Sequence, residues 1–393
     1  MSIKSLDHKE VVVNFHDVTF NKNRISIQKQ KTIRYIKYLV AFLFAVVLVT
    51  ALTIINIRFA NNGKYNFQDL FYIFSTNNIF STNTSQLTNV TTSTGPTFGA
   101  FSFTDLPPIR KATWISIATA LAGIGLAISG SISQGLTKNP LSDPTTLGAT
   151  EAVIFGSILM NVLVGSIVDA NNFQYVYLAF SFLGGLLSVG FILVILKYLS
   201  NLNYLKITLT GLAISIFFKT LNFLLRINNA SAIRTSFAIS IGGAENIYGL
   251  YPSQETVLYI GIVLVAIGFI TSIFLSKNLS LLELGDDKAT SLGVNIKSVK
   301  IFGLLVILIL IPISVSLVGN AAFVGLFAPH IVRIIFRTRD YRIVVPMGAL
   351  LGASVMSLGL TLNTFTSTIP SSIYMVFIGA PMLIYLGWKQ KSQ

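Results

Sequence analysis

Residues 38–57 run the thickness of a membrane without one charged side chain. About twenty apolar residues in a helix cross a hydrocarbon core of about 30 Å. Apolar stretches recur at 113–135, 145–167, 175–196, 207–225, 256–275, 301–318, just after Asn320, 343–362 and 371–388. The expected fold class is all-α, a polytopic membrane protein of about ten transmembrane helices. Only 11% of the chain is charged and its mean hydropathy is +0.72, against about a quarter charged in soluble domains. The first span is not a cleaved signal peptide, because a long polar tail precedes it and no small-residue cleavage site follows.

The net charge of +14 invites nucleic acid as a partner until the basic residues are placed against the spans. With the amino terminus inside and the spans alternating, only Arg58, Lys64, Arg110, Lys111, Arg226 and Arg234 fall outside, and Lys219 within a span. The positive-inside rule absorbs the rest and sets both termini in the cytoplasm. No nucleic-acid partner is needed. Residues 1–34 read as a cytoplasmic basic tail touching anionic membrane lipid, 35–388 as the transmembrane domain and 389–393 as a cytoplasmic end. Residues 59–110 form a long extracellular loop, rich in Asn, Ser and Thr and unable to bury much. Lys219 reads as snorkelling to the interface.

Several chemistries are excluded. There are no cysteines, so thiolate sites and disulfides are out. His8, His16 and His330 are scattered, and no metal site or cofactor is expected. The one Gly-Lys, Gly63-Lys64, continues as Tyr-Asn and is no phosphate loop. No nucleophile and base are paired as a catalytic site would need.

The most distinctive stretch is 121–153. Its first half places Gly123, Gly125, Ala127, Ser129, Gly130 and Ser133 where bulky aliphatics face lipid in a peripheral helix, which predicts a helix buried in a bundle. Pro140 and Pro144 end it, each lacking an N–H and pushing its predecessor out of the α region. Asn139 and Asp143 are placed to bond the freed backbone. A helix is expected again from Thr145, with Glu151 near its cytoplasmic end as the only acid within the spans. Downstream, 282–294 reads Leu-Glu-Leu-Gly-Asp-Asp-Lys-Ala-Thr-Ser-Leu-Gly-Val. An apolar turn, a Gly break, an Asp able to cap and a stop at Gly293 spell two short helices at a right angle. Then come Asn320-Ala-Ala-Phe-Val-Gly-Leu-Phe-Ala-Pro-His-Ile-Val-Arg333, in which Pro329 should kink a helix and His330 reads as packing, and Ile378-Gly-Ala-Pro-Met-Leu-Ile-Tyr-Leu.

Taken in order, Gly130, Gln134-Gly135, Asn139-Pro140-Leu141-Ser142-Asp143-Pro144 and Gly148 resemble the signature of the FecCD-type permeases, the transmembrane subunits of ABC importers for iron-siderophores, haem and cobalamin. Gly325, Pro329, His330 and Arg333 match a second block, and the likeness extends over about 106–388. It implies the type II ABC importer permease fold, a multi-pass protein of a bacterial plasma membrane, and a dimer with a second copy or a paralogue. It also implies two further partners, an ABC ATPase subunit and an extracellular substrate-binding lipoprotein. ATP hydrolysis would belong to the ATPase, so the chain itself would be a transporter subunit and no enzyme. In relatives the loop equivalent to 276–300 couples to the ATPase, a role that falls on Leu282, Leu284, Gly285, Asp286, Asp287, Ala289, Leu292 and Gly293. Similarity to the cobalamin importer's transmembrane subunit carries a cytoplasmic gate onto Asn203, Tyr204 and Leu205. The family's outer charges are missing: they fall on Leu360, Thr364 and Thr368, and only Arg110 is left for docking a binding protein. A metal chelate is the expected substrate, an iron-siderophore first, with haem and cobalamin as the others. The alternative, a secondary transporter driven by an ion gradient, would keep midplane acids or unwound helices for its coupling ion.

Overall fold

A computed structural model describes residues 36–59, 108–165, 167–169, 172–198, 204–229, 237–250, 254–366 and 368–390. The chain divides into Met1–Leu48 and Val49–Gln393. The described part of the first unit is the opening of helix α1 (Ile36–Phe59), and the account below concerns the second.

Among the described residues every regular element is helical. The order is α2 (Pro108–Thr137), a 3-10 turn (Pro144–Leu147), α3 (Ala149–Leu163), α4 (Phe173–Tyr198), α5 (Tyr204–Asn228), α6 (Ala244–Ile247), α7 (Gln254–Leu282), α8 (Asp286–Ser291), α9 (Ile296–Val318), α10 (Val324–Phe336), α11 (Tyr341–Thr366) and α12 (Ser371–Gln390). Seven are long and apolar enough to cross a membrane, namely α1, α2, α4, α5, α7, α9 and α11, and α3, α10 and α12 supply shorter apolar helices. The ten expected helices are therefore present as seven long and three short.

Helix α2 is the axis of the bundle, the most enclosed of the seven. Its small residues let other helices in to backbone distance. Gly123 and Gly352 of α11 oppose each other so closely that a Cβ on either would strike the other's carbonyl, Gly125 lies against Ser314 of α9, and Gly130 against Gly325 of α10. The last contact has a local cause. Pro329 has no N–H to give the carbonyl four residues back, and that carbonyl, of Gly325, is the one aimed at Gly130. Helix α10 continues through Pro329 to Phe336, and the proline leaves a carbonyl free within it.

Two helices are short because the backbone breaks inside the bundle, which is tolerated where protein rather than lipid surrounds it. After α2 the chain folds back along it. Ser142 Oγ lies 2.7 Å from Ser133 Oγ, and Asp143 and Pro144 reach Gly325, beside the Leu126 carbonyl. Ser142, Asp143 and Leu147 are buried. Gly148, at φ +72°, rests on Gly211 and Ile214 of α5, and α3 begins only at Ala149. The expectation of a helix from Thr145 is corrected: the turn starts at the end of the bundle that carries α8 and re-enters, and α3 follows only from Ala149. Glu151 moves with it. It accepts from Asn222 Nδ2 at 3.3 Å, and Asn222 stands near the far end of α5, so Glu151 is not near the end of the bundle that carries α8.

The second break lies between α9 and α10. Leu317 packs level with Leu121 and Gly261, and α9 then stops. Gly243 N donates to Val318 O at 2.7 Å and Asn320 N to Ile239 O at 2.7 Å, so the segment around α6 dips in to satisfy the broken end. Ala244 and Ile247 are buried; this segment caps the bundle from within.

Candidate functional site

Between α7 and α9 the chain makes the turn foreseen at 282–294, with different helices. Helix α7 runs unbroken to Leu282, so the apolar turn is its final stretch and α8 is the single short helix. Gly285 rather than Asp286 occupies the N-cap, and no side chain caps there. Its φ of +110° is open to glycine and strained for other residues. At the far end Gly293, at φ +83°, closes α8 as expected, with Gly293 N donating to Thr290 O at 2.9 Å and Val294 N to Ala289 O at 3.0 Å. Leu282 and Ala289 are fully buried and anchor the turn, while Leu284 (54% exposed) and Leu292 (58%) stand out from it. Asp287 is exposed beside them. Exposed leucines on a turn pinned from beneath make an apolar contact surface.

Polar side chains tie this turn to the bundle axis. Lys138 Nζ, where α2 ends, donates to Asp286 Oδ1 at 2.9 Å. Gln134 Nε2 donates to Leu326 O at 3.0 Å, and its Oε1 accepts from Arg333 Nη1 at 2.6 Å. Arg333 Nη2 donates to the Tyr341 hydroxyl at 2.8 Å, which donates onward to Glu283 Oε1 at 3.0 Å. The Arg333 guanidinium also lies over the Tyr341 ring, 5.2 Å from its centre. Tyr341 N donates to Ser280 Oγ at 2.8 Å, and Ser280 Oγ to Asp340 Oδ1 at 3.1 Å. Burial by itself would raise the Asp340 carboxyl, but hydrogen bonds from Arg342 and Ser280 hold it below the usual carboxylate value. Chemically the assembly is a rigid relay. Glu283, two residues before the Gly285 hinge, is bonded through Tyr341 and Arg333 to Gln134 on α2, and from there to α10.

The structure thus brings together residues that the sequence offered separately. Gln134, Arg333, Asp286 and Leu282 share one end of the bundle. Gly130, Gly325, Asp143 and Pro144 meet deeper along α2. Gly135 packs on Leu279 and Tyr341. Asn139 Oδ1 accepts from Leu141 N at 3.0 Å, and Asp143 Oδ2 from Thr145 Oγ1 at 2.8 Å, both as the turn chemistry predicts. Pro140 lies in the turn, and Pro329 and His330 lie in α10. Asn203 falls outside the described residues. Tyr204 and Leu205 open α5, and Arg110 the first turn of α2, with side chains outside them. Sequence reasoning missed Glu283, Tyr341 and Lys138. The available signal was their polarity beside otherwise apolar spans.

The Lys138–Asp286 pair is partly open, with side chains 19% and 35% exposed, and such pairs contribute about 1 kcal/mol or less. Lys138→Ala is expected to shift the melting temperature of the purified protein by no more than a few degrees. A collapse of the fold would show that this tie carries more than its exposure allows.

The FecCD transport family profile matches residues 97–389. An ABC transporter permease protein of Methanocaldococcus jannaschii is 32% identical over 68% of this chain and 78% of its own length. The iron(3+)-hydroxamate import system permease protein FhuB of Bacillus subtilis is 31% identical over 70% of this chain and 69% of its own. The hemin transport system permease protein HmuU of Yersinia pestis is 29% identical over 70% and 81%. A solved structure described as an inward-facing conformation of a metal-chelate type ABC transporter superposes with a TM-score of 0.67 at 20% identity, covering 90% of this chain and 99% of that one, which shows a shared fold. With the ordered motifs, the long and short helices and the family match over most of its length, this multi-pass membrane chain belongs to the FecCD transport family.

Proposed function

We propose that the chain is the permease subunit of a binding-protein-dependent ABC importer for a metal chelate, an iron-siderophore foremost and haem or cobalamin next. It sits in a bacterial plasma membrane with both termini and α8 on the cytoplasmic side, paired with a second permease copy or paralogue. A separate ATPase subunit receives Leu284 and Leu292 and the α8 turn, and an extracellular binding protein delivers the chelate to the other end. Residues 203–205 serve as the cytoplasmic gate at the start of α5.

The observation that carries this reading is the relay from Glu283 through Tyr341 and Arg333 to Gln134. A movement imposed on α8 has a hydrogen-bonded route to the axis helix, where the re-entrant turn meets α10 at Gly130, Gly325 and Asp143. A chain driven by its own ion gradient would have no use for a docking turn so connected.

Reconstitution with the ATPase tests it. ATP-dependent uptake of an iron-siderophore, haem and cobalamin, measured side by side, should favour one chelate and stop without ATP; uptake driven by an ion gradient alone would overturn the reading. Gly285→Arg should lose the ATPase on co-purification. A Cβ at Gly285 meets no atom within 4 Å, so the fault would be backbone strain of about 1–3 kcal/mol, confined to the turn. Retention of the ATPase by that variant would remove α8 as the contact.

A further inference from the structure

At the end of the bundle remote from α8 lies a cavity of about 390 Å³, bounded by Phe59 where α1 ends, Lys111 near the start of α2, and Pro370 ahead of α12. The residues that wall it lie in or next to the last turns of α1 and α11 and the first turns of α2 and α6, at the end of the bundle. Leu360, Thr364 and Thr368, the positions onto which the resemblance carried the family's outer charges, all line it and are neutral. Glu245 supplies a carboxylate from another element altogether, the short helix α6.

The wall is short of donors. Glu245 Oε1 accepts from Ser371 N at 2.5 Å and Oε2 from Ser371 Oγ at 2.9 Å, which leaves lone pairs on both oxygens, since a carboxylate offers about four acceptor sites. Among the described residues no cation lies within 4.0 Å of it. Lys111 lies over the Tyr248 ring instead, 5.6 Å from its centre. Asn56 is 3% exposed and gives its amide N–H to Ser357 O at 3.3 Å, so its Oδ1 is left without a partner, as is the hydroxyl of Ser116, 2% exposed. Buried polar atoms in native proteins are nearly always bonded, and unpartnered ones on a cavity wall await a ligand or water. Burial holds the Glu245 carboxyl above the usual carboxylate range, against hydrogen bonds from Ser371 and from its own backbone N–H. A cation seated beside it would offset that.

We propose that this cavity is a socket for the ammonium or guanidinium group of a basic side chain on the docking binding protein, held by Glu245 and the Asn56 carbonyl with Ser116 beside them. The proposal rests on the importer reading above and gives its docking face a polarity opposite to one built on permease arginines. A charge-assisted bond from Lys or Arg to a carboxylate is roughly twice as strong as a neutral one, and the socket's partial burial protects it from salt.

The test uses the permease–ATPase complex in nanodiscs and the binding protein that sustains uptake in the reconstitution. Glu245→Gln keeps an oxygen for Ser371 N and removes the charge; docking affinity should weaken tenfold or more, at high as well as at low ionic strength. Thr364→Lys brings an ammonium of the permease's own into the cavity. It should raise the melting temperature and weaken docking together, a pairing that lost packing cannot produce. It also keeps the proposal testable if Glu245→Gln does not fold. Wild-type affinity in both variants would overturn the socket and leave the importer standing. So would an equal loss in Ser371→Ala, which would make Glu245 only a cap for α12. If the wild-type complex captures no binding protein, the importer reading falls and takes the socket with it.

Discussion

Gly130→Ala is expected to leave little folded protein, a large effect for one methyl group. The Cβ would enter the space of the Gly325 carbonyl, carbon and Cα, all backbone. Inserting atoms into a packed core usually costs about 1–3 kcal/mol when side chains can rotate away. Here no side chain can yield. Helices α2 and α10 would have to part, and α10 cannot retreat, because Gly325 has Asp143 and Pro144 on another side. Gly190→Ala on α4 is the control, since nothing lies within 4 Å of its Cβ. It should be neutral or gain up to about 1 kcal/mol from helix propensity. Monodisperse yield on size-exclusion chromatography and thermal melting read both, and wild-type behaviour of Gly130→Ala would refute the backbone contact.

Arg333→Ala is expected to separate ATP hydrolysis from transport. The side chain is 12% exposed and Glu283 21%, and removing one partner of a buried charged pair costs about 3–5 kcal/mol when burial is complete. The cost here should fall towards the low end and land on the relay, because the small-residue contacts of α2 do not involve Arg333. The ATPase should still co-purify through Leu284 and Leu292, while ATP-driven uptake falls at least tenfold. Arg333→Lys should fail similarly, since one ammonium cannot reproduce the planar fork that spans Gln134 and Tyr341. Arg342→Ala is the comparison, a pair with Asp340 in which the arginine is 65% exposed, and little change is expected. Uptake at the wild-type rate in Arg333→Ala would exclude the relay as the coupling route.

Both predictions turn on residues visible in the sequence as motif members, and in neither was the reason visible. Gly130, Gly325 and Pro329 could be read as matching positions. That Pro329 frees the carbonyl that meets Gly130 requires two helices to be side by side, and periodicity says nothing of that. Arg333 and Gln134 were likewise legible one at a time, whereas Glu283 and Tyr341 passed unremarked because a single polar residue at a span's edge is ordinary. The re-entrant course of 138–148 was misjudged for a related reason. Two prolines and an Asx-rich turn end a helix in any setting, and where the chain goes next depends on what is there to satisfy it.

Sequence alone determined the all-helical membrane class, since a chain so apolar and so poor in charge must bury its backbone bonds within helices, and it determined the family through ordered motifs. It also showed that the helix of 121–135 must stop before Pro140 and that the turn closes at Gly293, because prolines and glycines act locally. Depth and partnership were decided only by the tertiary structure. Glu151 lies far from the α8 end, Glu245 lines a cavity beside the neutral Thr364, and Asp286 meets Lys138. Each results from long-range packing around α2, where small residues fix which backbones touch, and such contacts join residues far apart along the chain.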